Sequence, residues 1–175
     1  MTAVKGPAWV LAGFAVLGTA YDLWKGKIPN VLMMTGCLCG TVSFALTDRI
    51  AGLMQSAAGL LLPVVLLWPC FRLRILGAGD IKMLAMAGSF LGPAGIWRCM
   101  SMSFLAGGIL AAALILSRKN LKRRFAVLWD YLLNGLRSGE WTVYTGREDG
   151  SSLMHFSLPV LCGILWVILK DGYGF

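Results

Sequence analysis

The chain has 175 residues, of which 58% are hydrophobic and only 14% charged, with a formal net charge of +8. A soluble domain would carry about 25% charged residues, so composition argues against a water-soluble globule. An all-α, polytopic membrane protein is predicted instead, because several stretches reach the roughly 20 mainly apolar residues that a bilayer-crossing helix needs.

The first such stretch lies between Lys5 and Lys25 and is interrupted only by Asp22. It runs into "YDLWKGKIPN" without a small-residue cleavage site, so it reads as a first membrane helix and not as a signal peptide. Residues 28–47 and 50–71 contain no Lys, Arg, Asp or Glu, and Asp48 falls in a short external turn between them. "GAGD" at 77–80 opens a shorter apolar segment that Gly92-Pro93 closes early. Residues 99–117 and 151–169 are again without Lys, Arg, Asp or Glu. About six transmembrane helices follow, in a single integral membrane domain covering 1–175. Between the last two, 118–152 is polar. Leu121, Phe125, Leu128, Trp129, Leu132 and Leu136 recur there at three- and four-residue spacings. With the basic cluster at its start, this segment reads as an amphipathic helix lying on the cytoplasmic surface of the lipid bilayer.

Alternate connections of such a chain fall on the same side. One side then collects Lys25, Lys27, Arg72, Arg74, Lys82, every basic residue of 118–152 and so twelve of the sixteen Lys and Arg; the other holds Lys5, Arg49, Arg98 and Lys170. That asymmetry makes the first side cytoplasmic. The net positive charge orients the protein and meets anionic lipid, so no nucleic-acid partner is expected. The five cysteines are odd in number and scattered through apolar helices; they indicate neither a disulfide framework nor a metal site. His155, the one histidine, starts the last helix and reads as an interface hydrogen-bonding residue.

Six of the eight acidic residues fall in turns, the polar segment or the C-terminal end. Asp22 and Asp80 remain, one closing an apolar helix and the other opening one. A carboxylate at membrane depth costs about 2.5–3.5 kcal/mol at the centre and less near an end, which marks both as functional candidates. Two full crossings separate them, so both finish at the cytoplasmic end of the membrane. Facing carboxylates tend to hold one proton between them. The ionised partner can take a proton from a water attacking a carbonyl, and the protonated partner can protonate the leaving amine. That chemistry hydrolyses a peptide without cofactor, metal or covalent nucleophile. The plainer alternative is that each aspartate caps a helix or pairs with Lys25, Lys27 or Lys82. Gly77 and Gly79 read as bare backbone that leaves room for an extended substrate strand. Pro29 suits the first turn of the next helix, and Asn30 caps it or bonds locally.

Asp22 followed by "LWKGKIPN", then "GAGDIKMLAMAGSFLG" after two apolar segments, resembles the type IV prepilin leader peptidases, within the Gly-x-Gly-Asp intramembrane aspartic proteases. "HFSLPVLCGILW" at 155–166 is similar to the family's last helix, though less closely. The resemblance implies Asp22 and Asp80 as the catalytic pair, with Gly77, Gly79, Lys82, Pro29 and Asn30 shaping the site. It implies a pilin-like protein substrate whose short leader ends in glycine and is cut at the cytoplasmic face of the inner or plasma membrane. Only Leu23–Lys27 separate Asp22 from Ile28, which leaves no room for the zinc-binding insertion of the larger members. The chain is therefore similar to the short, peptidase-only form that serves tight-adherence (Flp-type) pili or archaeal preflagellins, and N-methyl transfer is not expected. The alternative outside this family is a small proton-coupled transporter or channel subunit using Asp22 and Asp80 as a proton relay.

Overall fold

A computed structural model of the chain describes residues 8–73, 76–116 and 156–172. Four helices make up most of them: α1 (Ala8–Lys25), α2 (Asn30–Arg72), α3 (Ala78–Leu116) and α4 (Ser157–Gly172). The all-α expectation holds, with no strand among the described residues. Six separate transmembrane helices are not what the structure shows. By length and composition two helices, α2 and α3, suffice to cross a membrane, and α4 is a shorter apolar helix. Only 28% of the most apolar window of each long helix is buried, unlike the core helix of a soluble protein. The proposed surface helix within 118–152 and His155 lie outside the described residues.

The reason for four helices in place of six is that two expected boundaries are too tight to interrupt the helical ladder. In a straight helix Thr41 and Ser56 would stand about 22 Å apart. In α2 the Ser56 Oγ is 3.1 Å from Thr41 Oγ1, so the helix doubles back on itself. The reversal occurs at Asp48 (φ −126°, ψ 20°) and Arg49 (φ 46°, ψ −119°), leaving arms 30–47 and 50–72 side by side. α3 is broken at Gly92 (φ 66°, ψ −179°). Two causes act together there: glycine admits the positive φ, and Pro93 drives the preceding residue out of the α region.

Contacts at glycines fix how these pieces run. Gly18 of α1 faces Met33, and Gly36 faces Phe14, so α1 and arm 30–47 are antiparallel. Gly79 faces Ile28, Gly36 faces Met86, and Gly40 faces Ser89 and Phe90; arm 78–91 therefore runs parallel to 30–47. Gly59 meets Gly88 backbone to backbone. From Met83 to Gly92 every residue of α3 is buried, which makes this arm the centre of the unit and explains its lack of any polar stripe. Small residues at each crossing let the helices approach closely. The arm of α3 beyond Gly92 packs on α4, with Cys99 and Ser103 against Gly163, and the rings of Phe104 and Phe156 5.6 Å apart. These residues, up to Gly107 in α3, form one compact unit; α3 from Gly108 onward belongs to a second.

Ser56 ties three pieces of the unit together. It is fully buried, and its hydroxyl shares a proton between the Ser89 carbonyl at 3.0 Å and Thr41 Oγ1. Replacing it with alanine strands a buried carbonyl, which costs about 1–3 kcal/mol. We expect Ser56→Ala to lower the midpoint of thermal unfolding in detergent; an unchanged midpoint would show that the hydroxyl does not bridge the arms.

Candidate active site

Asp80 occupies the third position of α3, and its position follows from how that helix starts. The Gly77 carbonyl accepts the first helical bond, from the Ile81 N–H at 3.4 Å, which makes Gly77 the cap. The Asp80 Oδ2 then accepts the Gly77 N–H at 3.3 Å. This is the return half of a capping box, and the helix dipole also favours a negative group there. Capping, the plainer reading of Asp80, is therefore a real local role. A Cβ built on Gly77 would lie 3.0 Å from Asp80 Oδ2, so any larger residue there would push the carboxylate aside by a few tenths of an ångström.

Asp22 lies one turn from the end of α1, half-buried, with its main chain closing that end through the Gly26 N–H to Asp22 carbonyl bond at 2.8 Å. Gly26 takes φ 63° and turns the chain toward α2. The carboxylate Oδ2 accepts a 2.6 Å hydrogen bond from Ser157 Oγ, the first residue of α4. Each carboxylate thus meets the amino-terminal end of a helix other than α1.

The helix directions bring the two aspartates to one end of the bundle. α1 is antiparallel to 30–47, which is parallel to 78–91; α1 and the buried arm are therefore antiparallel. They touch where Gly18 faces Met83. Asp22 lies four residues beyond Gly18, and Asp80 three residues before Met83. Both displacements are about one turn in the same direction, and steps of three or four keep a side chain on the same face. By register, Asp22 and Asp80 accordingly lie on the faces of α1 and α3 that meet at Gly18 and Met83.

The other residues expected at the site are placed with specific partners. Lys82 Nζ donates to Asn30 Oδ1 at 2.8 Å. Two residues from Asp80, its side chain leaves the helix on another face. Lys25 lies over the Tyr21 ring, 5.6 Å from its centroid. Pro29 is not in the first turn of α2 but immediately before it, extended at φ −62° and ψ 131°. The Asn30 side chain reaches across to α3, where its Oδ1 accepts from Lys82. Gly79 does provide close approach, but the group that approaches is Ile28, 3.3 Å from a Cβ built there. Positive φ is absent from both glycines of "GAGD".

Sequence reasoning missed Ser157. A serine before Leu-Pro at the start of an apolar run carries only the signature of a helix start. Nothing in it points to a carboxylate 135 residues away.

No curated protein and no solved structure shows significant similarity to the chain. Residues 9–116, which take in almost all of α1, all of α2 and α3, and both aspartates, match the model of the type IV leader peptidase family, and the chain belongs to that family.

Proposed function

We propose that the protein is a membrane-embedded aspartic endopeptidase that removes the short leader from type IV prepilin-like precursors, of the Flp (tight-adherence) or a related class. Asp22 and Asp80 act as the pair. One carboxylate accepts a proton from the attacking water, and the other donates a proton to the amine released from the scissile bond. What supports this reading is the Gly18–Met83 contact between antiparallel helices, from which Asp22 and Asp80 each lie about one turn toward the same end of the bundle. Family membership adds the substrate class. The charge asymmetry of the sequence supports a multi-pass arrangement with the aspartates at the cytoplasmic face of the bilayer.

Co-expression with prepilin-like precursors of several classes tests the reading. The expected result is a leader-sized mobility shift with at least one precursor and a new amino terminus directly after the leader. If no precursor is cut by well-expressed, membrane-inserted protein, the peptidase assignment falls.

Gly77 supplies a finer test. A methyl there must move the Asp80 carboxylate by a few tenths of an ångström, because 3.0 Å is tighter than ordinary van der Waals contact. A 1 Å misplacement of a catalytic group costs about 100-fold. Gly77→Ala is therefore expected to lower the cleavage rate about tenfold while leaving the thermal midpoint close to wild type. Full activity would place the Asp80 Oδ2 away from the reacting atoms.

A further inference from the structure

We infer that Ser157 is a positioning residue for this cleavage, holding the Asp22 carboxylate in its working orientation through the Ser157 Oγ to Asp22 Oδ2 hydrogen bond. The inference rests on the proposed role of Asp22 and adds to it a residue outside 9–116, the part of the chain that matches the family model.

The geometry separates this role from ordinary helix capping. A serine that caps its own helix turns its hydroxyl onto a backbone N–H two or three residues on. Two residues on from Ser157 stands Pro159, which has no N–H, and three residues on the Val160 N–H is taken by the Phe156 carbonyl at 3.1 Å. The hydroxyl instead points out of α4 and reaches Asp22 at 2.6 Å. That length is at the short end of the O–H···O range. Ser157 is fully buried, which shields its hydroxyl from water, while the Asp22 carboxylate that it meets is half-buried.

The base from which Ser157 reaches is rigid. Pro159, Val160, Ile164 and Val167 of α4 are all buried, and Gly163 lies against the Cys99 carbonyl and Ser103 Oγ of α3. Asp22 has the opposite character, a half-buried side chain one turn from the end of its own helix. A functional carboxylate must be held to within about 0.5 Å by neighbours whose own rotamers are locked. The buried end of α4 meets that requirement, and the last turn of α1 by itself does not.

The test uses the purified full chain in detergent with a prepilin precursor that the wild type cleaves. Ser157→Ala removes one oxygen and is expected to lower kcat about 10- to 100-fold, with KM within twofold and an unchanged thermal midpoint. Ser157→Thr restores the hydroxyl and is expected to recover most of the rate per folded molecule. Wild-type kcat in the alanine variant overturns the inference. So does an equal loss in both variants, because the effect would then follow side-chain shape and not the donor. Asp22→Asn, run in parallel, keeps the two readings apart. If it is inactive while Ser157→Ala is fully active, only the positioning role fails; if it cleaves like wild type, the aspartyl reading fails with it.

Discussion

Asp80→Asn and Asp22→Asn are each expected to abolish leader cleavage while leaving the protein folded. The substitution is chosen because it separates the two roles that Asp80 can hold. An asparagine Oδ1 still accepts the Gly77 N–H, so the cap of α3 survives while the charge near the helix terminus is lost. That loss is worth about 0.3–1 kcal/mol. Proton transfer by a positioned carboxylate contributes about 10²–10⁴ in rate, and an amide transfers no proton. The expected outcome is a fall of about 10³-fold or more, with a nearly unchanged thermal midpoint. Asp22→Asn behaves alike, since its Oδ1 can still receive the Ser157 hydroxyl. If Asp80 were only a cap, Asp80→Asn would cleave normally. A variant retaining more than about a tenth of wild-type activity would remove that aspartate from the chemistry.

How much of this site was legible before the fold depends on the range of each interaction. Apolar run lengths mark where helices lie, because each run must be satisfied within its own segment. The Gly92-Pro93 break was legible for the same reason, being a local steric conflict. The reversal at Asp48 and Arg49 carries no glycine or proline, so a turn was expected there but not one tight enough to leave the ladder nearly continuous. That Asp22 and Asp80 fall toward one end of the bundle could be read in advance, because counting chain reversals is a topological argument that needs no contact distances. The partners of the neighbouring residues could not. Asn30 was expected to bond locally and instead binds Lys82, 52 residues away. Gly79 was expected to admit a substrate strand, and Ile28 occupies that space. Ser157 was not singled out at all. In each case the deciding contact joins two helices whose relative rotation no periodicity in either one specifies.

Gly88→Ala and Gly59→Ala are expected to damage the fold itself, with a cost of about 3 kcal/mol or more, at the upper end of overpacking effects. At this crossing, arm 50–72 lies on the buried arm of α3 with no side chain between them. A Cβ on Gly88 would run into the carbonyl oxygen of Gly59, and a Cβ on Gly59 into the carbonyl oxygen of Gly88. The next atoms behind them are backbone too, the Gly59 carbonyl carbon at 2.6 Å and Gly92 Cα at 2.8 Å. A flexible side chain could swing aside, but two helical backbones can only separate. Separation would pull on the Ser56 bond to the Ser89 carbonyl, one residue from Gly88. Gly13→Ala supplies the control. It also lies in a helix interior, but nothing stands within 4 Å of a Cβ built there. Alanine should be neutral at that position or stabilise α1 by about 0.5–1 kcal/mol. The measurement is the thermal midpoint and the yield of detergent-soluble, monodisperse protein. Gly88→Ala and Gly59→Ala should fall well below wild type, and Gly13→Ala should match or exceed it. If Gly88→Ala tolerated heating as well as Gly13→Ala, the two arms would not meet backbone to backbone. The arm that carries Asp80 would then lack the support that holds it against its neighbours.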